Sequence, residues 1–321
     1  MTLRLTVDTV AWREHIEAVA SEVHDSALGL VPVVKGNGYG LGRLELATVA
    51  ADLADTIAVG TVHELDGLPA GPDVVVLTPT LALPELGEPS DTTDGITPER
   101  IVLTVGSHEH VEAIRGWRGR VLVKVASSMQ RYGDGPELLQ RARRAGLDVL
   151  GWSIHPPLAG TDQQRVAEIE QLLEHLDADI DVWLSHLSPA ACVALPDTHR
   201  YRLRMGTWLW HGDKSFLRLS AEVLATRQVH AADRAGYRLV QLPGDGTLVM
   251  VGAGSAHGIA PLPDGRSPFH HRRRRLTLLE PPHMHTSMVF VPAGEPVPAV
   301  GERVDVQRPL ITTHVDRVEW A

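Results

Sequence analysis

Cysteine is nearly missing from this chain: Cys192 is the single one in 321 residues. That excludes an intramolecular disulfide and a four-cysteine zinc site. Long apolar runs are missing too. No stretch approaches the roughly 20 uninterrupted apolar residues that a membrane helix needs. Residues 1–8 alternate like a strand and lack the apolar core of a signal peptide. An excess of positive charge is also missing. The formal net charge is −10, which opposes a nucleic-acid partner, because phosphate binding relies on concentrated Lys and Arg. The basic run at residues 270–275 reads as a solvated loop or strand edge. What is present, 43% hydrophobic and 22% charged residues, is an ordinary globular composition. A cytoplasmic enzyme is expected.

Between residues 10 and 215, β-rich apolar runs alternate with amphipathic stretches. Strands are expected at 29–34, 57–59, 74–77, 101–104, 121–124, 149–154 and 182–184, with helices at 44–53, 108–115, 136–145 and 162–176 between them. Such alternation predicts parallel strands with helical crossovers, and the unbroken repeat favours closure into a (β/α)8 TIM-like barrel. In such barrels the reacting groups sit on the loops at the strands' C-terminal ends. From residue 216 to 321 short alternating segments (221–229, 237–242, 247–251, 276–279, 288–291, 303–306) predict a smaller C-terminal β domain, which residues 1–9 join as a strand.

The segment Val33-Val34-Lys35-Gly36-Asn37-Gly38-Tyr39-Gly40-Leu41-Gly42 closes a buried strand and opens a glycine-dense turn. A lysine leaving a strand there can meet a bound aldehyde, and the glycines let backbone approach an anionic group. The run resembles the signature of the alanine racemase family of fold-type III enzymes. The resemblance implies pyridoxal 5′-phosphate as cofactor, a Schiff base on Lys35 and a phosphate contact from Tyr39.

Further segments match in the same order. Val123-Lys124-Val125-Ala126-Ser127-Ser128-Met129-Gln130-Arg131-Tyr132-Gly133 is similar to the family's Lys-Val-Asp-Thr-Gly-Met-x-Arg-Leu-Gly. By that resemblance Arg131 steadies the substrate carboxylate or the cofactor's ring oxygen. Lys124 matches a position that some members carbamylate. Ala126, Ser127 and Tyr132 depart from the pattern. In Tyr201-Arg202-Leu203-Arg204-Met205-Gly206-Thr207, the resemblance makes Arg204 the partner of the pyridine nitrogen, and Gly206 and Thr207 backbone donors to the phosphate. His155, at the end of Gly151-Trp152-Ser153-Ile154-His155, resembles the histidine that supports this arginine. Ser188, in Ser185-His186-Leu187-Ser188-Pro189-Ala190-Ala191, stands where it can reach the phosphate.

Two-base racemisation needs a proton acceptor on each face of the planar α-carbon. Lys35 supplies one. The family's second acceptor is a tyrosine in Gly-Tyr-x-Asp-Gly, but the matching stretch here, Val251-Gly252-Ala253-Gly254-Ser255-Ala256-His257-Gly258, has alanine in its place. His257, with His285 as a possible aid, is the candidate substitute, because imidazole titrates near neutrality. In Pro281-Pro282-His283-Met284-His285, Met284 matches the family residue whose backbone binds the substrate carboxylate.

The resemblance thus implies a racemase-like enzyme for a small amino acid, working as a homodimer with shared active sites. Two other readings stay open. His283 and His285 form a His-x-His pair like the metal pair of fold-type III D-amino-acid dehydratases and aldolases. A pyridoxal-phosphate-binding protein that has lost turnover would also fit.

Overall fold

Strands β1 (Leu3–Val7) and β2 (Gly29–Pro32) are joined by α1 (Thr9–Asp25) in the computed structural model of the protein, which describes residues 2–86 and 96–321. After β2 come α2 (Arg43–Leu53), β3 (Thr56–Val59), β4 (Asp73–Val76), β5 (Ile101–Val105) and α3 (His108–Ala113). Then follow β6 (Arg120–Lys124), α4 (Glu137–Arg144), β7 (Asp148–Ser153), α5 (Asp162–Leu173), β8 (Asp181–Ser185), α6 (Pro189–Val193), β9 (Tyr201–Met205) and α7 (Thr207–His211). Helix starts follow the local chemistry. Ser107 caps α3 by accepting from the His110 amide, and Thr161 and Gln164 form a reciprocal capping box at α5.

Strands β2 to β9 form one parallel eight-stranded sheet in the order β2-β9-β8-β7-β6-β5-β4-β3. A parallel bridge between Val33 and Ala58, with the Val34 amide donating to the Ala58 carbonyl at 2.8 Å, closes the ring. Val31, Val33, Ala58, Val75, Val102, Leu122 and Trp183 form a single buried cluster. Each fully buried aliphatic side chain contributes about 1.5–3 kcal/mol, so runs of Val and Leu are what these strands require. A bulge in β7 shifts its register against β6 by one residue, which sets Lys124 beside Ser153. Gly151 lies at that bulge because a Cβ there would come 2.6 Å from the Asp181 carbonyl and 2.7 Å from the Trp183 indole nitrogen.

The second unit holds β10 (Leu217–Val229), β11 (Arg234–Ala235), β12 (Val240–Gln241), β13 (Gly246–Val251), β14 (Phe269–His271), β15 (Arg274–Arg275), β16 (Thr277–Leu278), β17 (Ser287–Pro292), β18 (Arg303–Val306) and β19 (Arg317–Trp320). Its sheet runs β15-β14-β18-β10-β13-β17-β16, and β1 pairs with both β10 and β19. The N-terminal segment is therefore a strand of this sheet, as its alternation predicts. The basic run is a hairpin at the sheet's edge: Arg272 and Arg273, at φ 48° and 66°, turn the chain between β14 and β15.

By their contacts, Glu14–Gly38 and Arg43–Trp210 make up the barrel unit, whereas Met1–Arg13, Tyr39–Gly42 and His211–Ala321 make up the β unit. The excursion Tyr39–Gly42 groups with the β unit although it directly follows the barrel's first strand. Several element boundaries differ from expectation: the first barrel strand stops at Pro32, α3 ends at Ala113 and β10 begins at Leu217. The α5 helix ends at Leu173, and the segment 237–242 is mostly a turn, with only Val240–Gln241 extended. Among the described residues no helix is long and apolar enough to cross a membrane.

Candidate active site

The backbone leading to Lys35 is held from three sides. The Val33 amide donates to Met205 at 2.8 Å, the Val34 amide donates to Ala58, and the indole of Trp210 donates to the Val33 carbonyl at 2.7 Å. Val34 is fully buried, and at Lys35 the side chain emerges from the ring. The turn that follows requires glycine at Gly38, where φ is 62° and a Cβ would lie 2.4 Å from the Arg43 amide nitrogen.

Among the described residues the Lys35 amine has no hydrogen-bond partner. Desolvation first, then repulsion by Arg131 and by Arg204, holds its pKa below the usual lysine value, and Glu64 opposes them. Although the side chain remains open to solvent, enough protein surrounds it for burial to be the leading cause.

Arg204 is buried at the C-terminal end of β9. Its guanidinium donates to the Ile154 carbonyl at 2.7 Å, Ser153 Oγ at 3.0 Å, the Leu184 carbonyl at 3.3 Å and Ser185 Oγ at 3.4 Å. All these acceptors are neutral and come from β7 and β8 or just beyond. Burial, then Arg131, lowers its pKa to about 10, so it remains a cation at neutral pH. His155 Nδ1 lies 2.5 Å from Ser185 Oγ, and its ring meets that of His186 at a tilt of 56° with centroids 4.5 Å apart. Desolvation, then Arg204 and His186, drives the His155 pKa down to about 2. Its imidazole is therefore neutral. His186, at φ 63°, is fixed through Nδ1 to the Pro156 carbonyl at 2.9 Å.

Lys124 is 4% exposed. Burial, with Arg204, Arg131 and Lys35 following, lowers its pKa to about 7. The Arg131 side chain is exposed, stands 5.5 Å from the centre of the Tyr132 ring, and has no hydrogen-bond partner among the described residues. Lys35, Lys124, Arg131 and Arg204 thus repel one another at one end of the barrel, with Glu64 the one acid acting on Lys35. Arg131, unpartnered among the described residues, and Arg204, bound only to neutral acceptors, stand beside an unpartnered amine, an arrangement that fits a multiply charged anion that also carries an aldehyde. That is the chemistry of the cofactor implied by the sequence. Gly206 and Thr207 open α7, where amides lack acceptors within the helix. Ser188 is otherwise engaged: its hydroxyl donates to Asp162 at 2.6 Å and accepts from the Ala191 amide at 3.3 Å, capping α6.

The remaining candidates belong to the β unit. Tyr39, at φ 56°, is buried, its carbonyl is 2.7 Å from His211 Nε2, and its ring meets that imidazole edge-on at 5.8 Å. His257 is 7% exposed; its Nδ1 accepts from the Gly254 amide at 3.1 Å and its Nε2 lies 3.3 Å from Asp316. Ala253 is fully buried. The turns bearing His257 and His285 are joined by hydrogen bonds from the Ser255 amide to the His283 carbonyl (2.8 Å) and from the Ala256 amide to the Met284 carbonyl (2.9 Å). Met284 and His285 are exposed, and the His257 and His285 rings lie 6.1 Å apart. His283 Nε2 is 2.5 Å from Glu280. Among the described residues no group of three or more His, Cys, Asp or Glu is placed to hold a metal ion.

Ser153, Ser185, His186 and Glu64 were given no role by the sequence. Ser185 and His186 do lie inside a matched motif, but Glu64 had no signal beyond its charge.

A family model described as the alanine racemase N-terminal domain matches residues 7–213. The chain is similar to an alanine racemase of Salinispora tropica, 33% identical over 260 residues, covering 72% of this chain and 68% of that one. It is also similar to an alanine racemase of Salinispora arenicola, 28% identical over 297 residues, covering 82% and 77%. Among solved structures, the alanine racemase from Bartonella henselae with covalently bound pyridoxal phosphate superposes with a TM-score of 0.74 at 17% identity, covering 100% of this chain and 99% of that one. The biosynthetic enzyme from Pseudomonas aeruginosa gives 0.70 at 21% identity, covering 100% and 99%.

Proposed function

The chain belongs to the alanine racemase family, and from that premise we propose that it is an amino-acid racemase moving the α-proton of a small amino acid at Lys35 Nζ. Its cofactor is pyridoxal 5′-phosphate. When bound, this group supplies an electron-withdrawing ring that stabilises negative charge on the substrate's α-carbon. The observation that carries the reading is the Lys35 amine, unpartnered among the described residues and held below its usual pKa by burial, Arg131 and Arg204. Such an amine is free to hold an aldehyde carbon, and it accepts and returns a proton more evenly near neutrality than an unperturbed lysine.

The other residues divide the binding. Arg204 would face the pyridine nitrogen. As a guanidinium it yields no proton there, which weakens the ring as an electron sink and favours simple proton transfer. His155 and its neighbouring serines hold that guanidinium's surroundings in place. Tyr39, Ser188 and the amides of Gly206 and Thr207 would hold the phosphate. Ser188 would have to share its hydroxyl with Asp162. Arg131 would bind the substrate carboxylate with paired donors, together with the Met284 backbone. Lys124, with a pKa of about 7, offers the neutral amine that carbamylation requires. For the α-carbon's opposite face the candidates are His257 and, beside it, His285. A cytoplasmic homodimer with shared active sites belongs to the same reading. The dehydratase or aldolase alternative is not favoured: His283 is bound to Glu280, and no third metal ligand joins it among the described residues.

The test is to incubate the cofactor-loaded protein in heavy water with L- and D-amino acids. Loss of the α-hydrogen signal would be followed by proton NMR, and configuration by a chiral assay. Exchange with inversion for a small amino acid, abolished by Lys35→Ala, is expected. If no amino acid exchanges, the racemase reading fails and the non-catalytic alternative gains.

A further inference from the structure

Arg131 sits near the tip of the loop that leaves β6, and the tip is tied down at one point. The base of the loop is closed by backbone bonds, from the Ala126 amide to the Asp134 carbonyl at 3.0 Å and from the Asp134 amide to the Lys124 carbonyl at 3.2 Å. Ser127 Oγ donates across to the His155 carbonyl at 2.8 Å. Beyond that the chain turns back, with the Gln130 amide donating to the Ser127 carbonyl at 3.0 Å, Gln130 at φ 53° and Gly133 at φ 115°.

Across this turn a single carboxylate grips the loop. Glu168 of α5 accepts the Ser128 amide at 2.6 Å on one oxygen and the Ser128 hydroxyl at 2.9 Å on the other. Among the described residues no other side chain outside the loop hydrogen-bonds residues 128–133.

Helix α5 is a firm post for this grip. Ile169 and Leu173 bury its inner face, and the buried Arg165 guanidinium binds the Pro157, Leu158 and Gly160 carbonyls that lead out of β7. At the helix start, Asp162 holds the Ser188 cap of the loop after β8. One helix therefore braces the loops on both sides of it.

We propose that Glu168 is the positioning residue for Arg131, its two-pronged hold on Ser128 keeping the guanidinium ready for a ligand carboxylate. A flexible loop would have to be ordered each time a carboxylate bound, and the latch meets that entropy in advance. The inference rests on the reading of Arg131 as the carboxylate-binding residue.

The test uses Glu168→Gln and Ser128→Ala in the cofactor-loaded protein, with Ser128→Thr, which retains the hydroxyl, as the rescue variant. Hydrogen exchange read by mass spectrometry should show faster exchange of residues 127–133 in Glu168→Gln and Ser128→Ala, with the thermal midpoint nearly unchanged. Binding of acetate, followed by broadening of its carbon-13 line, should weaken about fivefold, the size of one exposed charge-assisted contact, and should vanish in Arg131→Ala. Where an amino acid is turned over, its KM should rise by a similar factor and kcat should change much less. Adding Glu168→Gln to Arg131→Ala should change nothing further. Unaltered exchange of residues 127–133, or faster exchange with acetate affinity intact, would overturn the proposal. If the wild-type protein turns over no amino acid, the racemase reading fails, while the exchange and acetate experiments still decide the latch.

Discussion

Ser185 Oγ lies 2.5 Å from His155 Nδ1 and takes a 3.4 Å hydrogen bond from the Arg204 guanidinium. Arginine can only donate, which leaves the serine's own proton free to point to Nδ1, the arrangement in which the imidazole carries its hydrogen on Nε2. Nitrogen-15 NMR should show this neutral form of His155 from pH 8 to pH 5 without titration, in line with a pKa of about 2. The sign for stability follows. As pH falls below the ordinary histidine value near 6.5, the unfolded chain takes up a proton that the folded one refuses. This residue therefore erodes stability toward acid. A His155 resonance titrating near pH 6.5 would overturn the assignment.

Lys124 works in the opposite range. Its folded pKa of about 7 lies below the roughly 10.4 of an unfolded lysine. Between those values the unfolded state holds the extra proton, so stability rises with pH. Lys124→Met should remove that rise, by up to roughly 4 kcal/mol across the window. Denaturant midpoints of both proteins at pH 7 and pH 9.5 supply the comparison, and parallel shifts would contradict it.

Gly133 cannot carry a side chain without moving the Arg131 loop. At φ 115° a Cβ would lie 2.5 Å from the Val125 carbonyl carbon and 2.6 Å from the Ala126 nitrogen. Gly133→Ala should cost about 2–4 kcal/mol and lower Tm by roughly 5–10 °C. Gly116→Ala is the control. It shares a positive φ of 87°, but nothing lies within 4 Å of its Cβ, so only the backbone penalty of about 1 kcal/mol remains.

The two candidate histidines of the β unit, His257 and His285, can be separated by paired measurements. His257 is buried with both ring nitrogens engaged. Its loss leaves a buried amide unpartnered and should cost about 2 kcal/mol. His285 is exposed, and His285→Ala should leave Tm within about 2 °C. If His257 carries the second proton, folded His257→Ala should invert the configuration at least about a hundredfold more slowly, with His285→Ala near wild type. The reverse pattern would pass the role to His285.

The barrel was legible in the sequence because strands buried on both faces must be nearly continuous runs of Val, Ile and Leu. The strand Tyr201–Met205 was harder to see, since its Arg202 and Arg204 break the apolar run. It was not among the expected strands, although its motif singled out Arg204. Residues 237–239 looked extended by composition, yet Leu239 sits at φ 46° and Glu280 accepts the amides of Tyr237 and Arg238. That carboxylate lies about 40 residues downstream, beyond the reach of any local pattern.

At the site, residues inside motifs were legible and their supports were not. Lys35 and Arg131 stand in recognisable runs, whereas Glu168 is 40 residues from Ser128 in sequence and has only its charge to show for itself. For the same reason the motif of Ser188 led only to the expectation of a phosphate contact, while its bond to Asp162, 26 residues earlier, could not be read.

Cys192 lies in α6, 1% exposed, and burial, then the Asp162 charge, pushes its thiol up to about 12. A thiol so rarely ionised reacts slowly at neutral pH, and it is the chain's only one. A cysteine engineered into the loop after β6 would therefore be the sole address for a maleimide dye or spin label. The loop's motions could then be watched in otherwise wild-type protein, with no need to strip out native cysteines first.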